Sequence, residues 1–122
     1  MQIGEVAERV GLSLRTVRYY EEMGLIEPES RTEGGFRLYT DVHVDRLALI
    51  KQMKPLGFTV QEMRELLDAR DAVRDRDDGQ ARERLAGFAG AAMERCDALR
   101  AKLESGEELA RTLRRESQRP SR

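Results

Sequence analysis

Cysteine, histidine, proline and tryptophan are scarce in this chain. Its 122 residues include one cysteine, one histidine, three prolines and no tryptophan. The single thiol, Cys96, cannot form an intrachain disulfide, and nothing in the cysteine usage points to an oxidising compartment. An iron–sulfur cluster held by several cysteines is excluded for the same reason. With His43 as the lone imidazole, no Ser–His–Asp, Cys–His or metal constellation assembles, so enzyme activity is not expected. Near a helix start, His43 reads as an exposed or capping residue. No apolar run approaches the roughly 20 residues that a membrane span needs. The opening MQIGEVAERVGLS lacks a basic stretch followed by an apolar one, so no signal peptide is expected and the expected location is the cytoplasm. Charge of a single sign is also missing. Basic residues number 22 and acidic residues 23, for a net charge of −1. A chain that is 37% charged and nearly balanced reads as solvated helices rather than a disordered tail.

What is present is periodic. Ile3, Val6, Ala7 and Val10 form one apolar helix face, which Gly11 ends. Ser13 can cap a second helix running to about Met23, with Leu14 and Val17 among the residues that define its sides and Gly24 as its stop. Two short helices joined by GLS fit a helix-turn-helix. Leu25–Ile26 and Phe36–Tyr39 read as two short strands around a polar tip containing Pro28, Ser30, Thr32, Gly34 and Gly35. Such a hairpin is a wing. Thr40 or Asp41 can cap a third helix with Val44, Leu47, Ala48 and Ile50, ending at residues 55–57. TVQE is a capping box in which Thr59 and Glu62 satisfy each other's backbone. It opens a fourth helix, carrying Met63, Leu66 and Leu67, that runs to about Asp71.

Charged DAVRDRDDG then reads as a hinge or frayed helix end. Beyond it Leu85, Ala89, Ala92, Cys96, Leu99, Leu103, Gly106, Ala110 and Leu113 alternate at spacings of four and three, a heptad seam. Phe88, Met93 and Leu109 widen it. Such a stripe needs a partner helix, and a second copy of the chain is the expected source. Cys96 sits in the seam as a small hydrophobe, close to its midpoint. The expected fold is therefore mainly α. A winged helix-turn-helix (residues 1–71) leads through a hinge (72–79) into a long coiled-coil dimerisation helix (80–116) and a disordered tail (117–122).

On the second helix Arg15, Arg18 and Tyr19 share one face, with Thr16 and Tyr20 in the flanking row. The second helix of a helix-turn-helix presents its N-terminal residues to base edges in the major groove. Arginine pairs bidentately with guanine or phosphate, and tyrosine hydroxyls bond phosphate. The same residues also suit an ordinary solvated amphipathic helix with its tyrosine rings packed inward. The pI near 5.9 lacks the basic footprint of a DNA-binding domain. Acids outnumber Arg9, Arg15, Arg18, Arg31 and Arg37 in the first 40 residues, so DNA affinity requires those arginines to share one surface.

Three motifs in order, RTVRYYEEMGLI, GGFRLYT and LGFTVQEM, make residues 2 to about 70 resemble the N-terminal domain of the mercury-resistance regulator (MerR) family of bacterial transcription factors. The resemblance implies a homodimer on a pseudo-palindromic promoter site. There it bends and untwists double-stranded DNA so that RNA polymerase engages both promoter elements. Arg15, Thr16, Arg18 and Tyr19 are then expected at the major groove, with Tyr20 at a phosphate or supporting the helix. Arg31, Arg37 and Tyr39 are expected to hold phosphates from the wing, and Lys54 to add a contact. Phe36 stands where many relatives carry tyrosine. The resemblance also implies that residues 80–115 supply a long antiparallel dimerisation helix.

No sensor is legible. Metal-sensing relatives use cysteines at the start of the dimerisation helix, where this chain reads DDGQARER. Asp75, Asp77 and Asp78 do not follow the spacing of a calcium loop and read as an acidic hinge. No appended drug-binding domain is recognisable. Neither a metal nor a cofactor is expected. The competing reading is a dimeric coiled-coil interaction module whose DNA-binding surface is weak or vestigial.

Overall fold

The structure, a computed structural model, describes residues 1–28, 30–31, 34–35 and 37–120, apart from the side chains of Ser30, Arg31 and Arg37. Expectations for Thr32 and Phe36 therefore fall outside the described residues, as do those for the Arg31 and Arg37 side chains. The chain divides into two units, Met1–Leu85 and Ala86–Arg122.

In the first unit, α1 (Ile3–Val10) buries Val6, Ala7 and Val10 against α2 and α3. Gly11, at φ 77°, turns the chain out of α1. Its left-handed backbone lets Leu12 N–H reach the Ala7 carbonyl (3.0 Å), so the helix end is satisfied within a few residues. Ser13 then caps α2 (Leu14–Glu22), its Oγ accepting the Thr16 N–H at 3.1 Å. Val17 and Tyr20 are the buried residues of α2. Gly24, at φ 78°, closes it with Leu25 N–H on the Tyr20 carbonyl (3.0 Å).

The wing differs from expectation at its first arm. Leu25 and Ile26 form no strand, because both side chains are in the core at 1% exposure. The pairing lies further along, between β1 (Ser30–Arg31) and β2 (Arg37–Leu38), antiparallel with Ser30 opposite Leu38 and Arg31 opposite Arg37. Hydrophobicity marked Leu25 and Ile26, but their backbone follows the exit from α2.

Past β2, Tyr39 pairs with Met1 through backbone bonds in both directions, at 2.7 and 2.9 Å. Thr40 caps α3 (Asp41–Met53), which buries His43, Leu47, Ile50 and Met53, while Ala48 faces outward. After a 3₁₀ turn at Lys54–Leu56, the Thr59–Glu62 capping box opens α4 as expected, with bonds of 3.0 and 3.1 Å.

Helix α4 (Val60–Arg76) continues past the expected stop at Asp71. Ala69, Ala72 and Ala81 form a small buried cluster, with Val73 and Leu85 packed on it, which holds the end of α4 against the first turns of α5. Alanine is a weak hydrophobe in a charged sequence, so that seam is easily read as a hinge. The break shrinks to two aspartates. Asp77 takes a left-handed conformation (φ 49°), and Asp78 Oδ1 accepts the N–H groups of Gln80 (2.9 Å) and Ala81 (3.2 Å). Asp77 also pairs with Arg82. The acids are helix-terminus chemistry.

Helix α5 (Gly79–Ser117) spans 39 residues, about 58 Å at 1.5 Å per residue. It takes in Ser117, expected in the disordered tail, as its last residue. Leu85, expected in the dimerisation seam, is partly buried in the first unit. In the second unit Ala92 and Cys96 are half-buried, Ala89 and Ala110 are exposed, and Leu99, Leu103 and Leu113 are largely exposed along with Met93 and Leu109.

Candidate nucleic-acid interface

The Ser13 cap and Gly24 stop set the rotation of α2, and Val17 and Tyr20 pin its inner face. At 3.6 residues per turn this leaves Arg15, Arg18 and Tyr19 outside. They line a shallow surface concavity together with Glu22. Among the described residues neither Arg15 nor Arg18 takes part in an ion pair, so both guanidiniums keep their full donor sets. Tyr19 is 46% exposed, and its hydroxyl lies on the same face. Thr16 is half-buried, and its Oγ1 accepts from Ser13 Oγ at 2.8 Å, so its hydroxyl is held by the cap. Leu14, expected to help define the sides of the helix, is 42% exposed beside the arginines. The first residue after an N-cap has no preceding turn to cover it.

Two tyrosines are buried. Tyr20 is buried, its ring 5.6 Å from that of Tyr19. Burial, and secondarily the neighbouring Tyr19, push its hydroxyl pKa above the usual phenol value. It is a neutral group that supports the helix, one of the two roles expected of it. Tyr39 is 1% exposed, its ring edge-on to His43, and its hydroxyl donates to Glu21 on α2. The residue expected to hold phosphate from the wing instead ties the wing's second arm to the helix. The strand ends at Leu38, and the chain turns inward at Tyr39. Lys54 is exposed at the junction of α3 and the 3₁₀ turn. The backbones of Arg31 and Arg37 face each other across the wing.

Sequence reasoning missed the arginines behind α2. Arg46 on α3 donates from Nε and Nη2 to the Leu25 carbonyl (3.3 and 3.0 Å) and from Nη1 to both oxygens of Asp71 on α4 (2.9 and 3.0 Å). Arg64 on α4 donates to the Met23 carbonyl. Carbonyls at a helix C-terminus carry partial negative charge, and these guanidiniums satisfy it. The second helix is thus fixed from behind by α3 and α4, while its front carries free cations. No local sequence pattern reports such pairs, since Arg46 and Asp71 are 25 positions apart.

This arrangement agrees with the comparisons with known proteins. The model of the MerR HTH family regulatory protein matches residues 1–70, more than half of the chain. The chain belongs to the MerR family. A second family model, for MerR DNA binding, matches residues 44–115. Over 82 residues the chain is 46% identical to the mercuric resistance operon regulatory protein of Bacillus cereus, covering 67% of this chain and 59% of that one. It spans about half to three-fifths of the length of the first curated relatives it matches. Among solved structures, the transcription regulator PbrR691 from Ralstonia metallidurans CH34, in complex with lead(II), is 35% identical with a TM-score of 0.60, over 95% of this chain and 81% of that one. The fold also matches HiNmlR, a MerR-family regulator lacking the sensor domain and bound to promoter DNA. That match has a TM-score of 0.74 at 21% identity, over 91% of this chain and 84% of that one. Among the described residues of this MerR-family chain, no group of three or more His, Cys, Asp or Glu side chains could hold a metal ion. No helix there is long and apolar enough to cross a membrane.

Proposed function

We propose that the chain is a dimeric, sequence-specific DNA-binding transcription regulator that acts in the cytoplasm by distorting promoter DNA, and that it is not an enzyme. One observation carries this reading. Arg15, Arg18 and Tyr19 lie exposed and, for the arginines, unpaired on the outer face of the second helix of a helix-turn-helix. Several acids are engaged away from this face: Asp71 with Arg46, Asp45 with Arg70, Asp41 with Arg9, and Asp78 with a helix terminus, while Glu22 lies beside the arginines. Arg15 and Arg18 read bases, while Arg31, Arg37 and Lys54 hold phosphates. Tyr20 and Tyr39 position the elements that carry those contacts.

The apolar stripe of α5 supports dimerisation. Leu99, Leu103 and Leu113 recur at seam positions and are exposed on a single helix, where each costs hydrophobic free energy until covered. A second copy, antiparallel, presents two α2 helices to the two halves of a pseudo-palindrome. Bending the intervening DNA costs on the order of 1–6 kcal/mol, which the additional phosphate contacts offset. RNA polymerase is the partner that reads the distorted promoter.

The test is the salt dependence of binding to a promoter fragment recovered by genomic footprinting. Three phosphate-holding cations per protomer give a slope of log affinity against log salt of about −5 for the dimer. A flat profile would instead support a coiled-coil interaction module with a vestigial surface.

A further inference from the structure

The lone histidine of the chain holds both arms of the wing. His43 is 8% exposed in the first turn of α3. Its Nδ1 accepts the backbone N–H of Thr40 at 2.9 Å, just after β2. Its Nε2 meets the carbonyl oxygen of Glu27, shortly before β1. A carbonyl only accepts, so Nε2 carries the proton and Nδ1 the lone pair. These two bonds define one neutral tautomer and use both ring nitrogens. The ring edge also packs on Tyr39, whose hydroxyl reaches Glu21 on α2. One imidazole thus connects the start of the wing, its end, α3 and, through Tyr39, the second helix.

We propose that His43 is a positioning residue that clamps the two arms of the wing for DNA, and that taking up a proton releases the clamp and weakens binding. This inference rests on the DNA-binding reading given above. A proton on Nδ1 removes the lone pair that receives Thr40 N–H and turns two donors toward each other. The Thr40 hydroxyl, 3.2 Å from Nδ1, can accept the new proton, but the backbone N–H of Thr40 is left without its acceptor. The added charge also sits in the first turn of α3, where the helix dipole opposes a cation. Charged groups around the ring are mixed. Glu27 from the wing, Arg46 from α3 and Asp68 and Asp71 from α4 line the same cavity, and Asp71 is already held by Arg46. Asp41 in the same helical turn is engaged with Arg9. Beside Tyr39, the Met1 amino group donates to the Tyr39 carbonyl, a contact that added protons strengthen, so its sign is opposite. Clamp bonds therefore belong to the neutral ring, and a proton on Nδ1 breaks the one to Thr40.

Operator affinity measured by fluorescence anisotropy between about pH 8 and about pH 5.5 tests this, since His43 is the only imidazole in the chain. Affinity is expected to fall about tenfold across that range, the scale of one lost buried hydrogen bond. Added protons ordinarily favour binding to phosphates, so the sign is diagnostic. His43→Gln offers Thr40 an acceptor that does not titrate, and its profile is expected to be flat. His43→Ala is expected to bind at pH 8 as weakly as the parent does at pH 5.5. A flat parent profile, or the same slope in His43→Gln, overturns the proposal. Amide exchange at Thr40 gives a reading without DNA and without substitution: protection should decrease as pH falls, after correction for intrinsic exchange. Unchanged protection refutes the clamp. Absence of operator binding at pH 8, with Thr40 protection still pH-dependent, overturns the DNA-binding reading and the wing's role in it rather than the clamp.

Discussion

Arg46→Met tests whether the second helix is held from behind. Methionine keeps an unbranched stem against α3 and α4 but removes four bonds at once, two to the Leu25 carbonyl and two to Asp71. The Arg46 side chain is 16% exposed and that of Asp71 33%, so the pair is neither fully buried nor a surface pair. A hydrogen bond to a charged group is worth about 1.5–3 kcal/mol, and a carbonyl left without a donor adds about 1 kcal/mol. Breaking a fully buried pair costs about 3–5 kcal/mol. Asp71 keeps a second partner, Arg74 at 3.2 Å, and some contact with water. The loss therefore belongs near the lower bound, about 3 kcal/mol. For a chain of this size that lowers Tm by about 10 °C. Urea unfolding at fixed protein concentration, which removes the mass-action effect of a dimer, gives the free energy from the midpoint at constant slope. Combining Arg46→Met with Asp71→Asn isolates the pair, with an expected coupling of about 1.5 kcal/mol. A single-variant loss below about 1 kcal/mol, or additive effects in the cycle, would refute the idea that this pair fastens the helix.

Three further outcomes are expected. Arg18→Ala should weaken specific operator binding by about 1–3 kcal/mol while leaving the urea midpoint of this exposed position in place; equal affinity in a gel-shift titration would remove Arg18 from the interface. Thr59→Ala deletes the cap bond to Glu62 N–H and should destabilise the protein by about 1 kcal/mol, read by thermal melting, and a loss near zero would mean the helix start is held by packing alone. In an antiparallel dimer the two Cys96 side chains come close to the symmetry axis, so a thiol-specific oxidant should give a cross-linked dimer on a non-reducing gel if the Cα atoms lie within about 7 Å; absence of the band, with the thiols labelled after unfolding, would put the axis elsewhere.

Local patterns carried much of the fold. The Ser13 and Thr59 caps, the Gly11 and Gly24 stops and the apolar face of α1 each depend on residues within about one helical turn, and chain order exposes such interactions directly. The exposed group Arg15, Arg18 and Tyr19 was legible for the same reason, since rotation along a helix follows from spacing. Spacing likewise marks the apolar stripe of α5, from which Leu85 is taken by the alanine cluster at the end of α4. Tertiary structure alone showed that Tyr20 and Tyr39 are buried, because an amphipathic ring is equally at home on a phosphate or in a core until the neighbours that cover it are known. It also decided where α4 ends, since Ala69 and Ala72 gain helix-holding value only when Ala81 closes over them. Arg46 with Asp71, and His43 with Glu27, join segments distant in the chain. Those contacts exist only once α3, α4 and the wing are packed, and spacing along a sequence carries no record of distances across it.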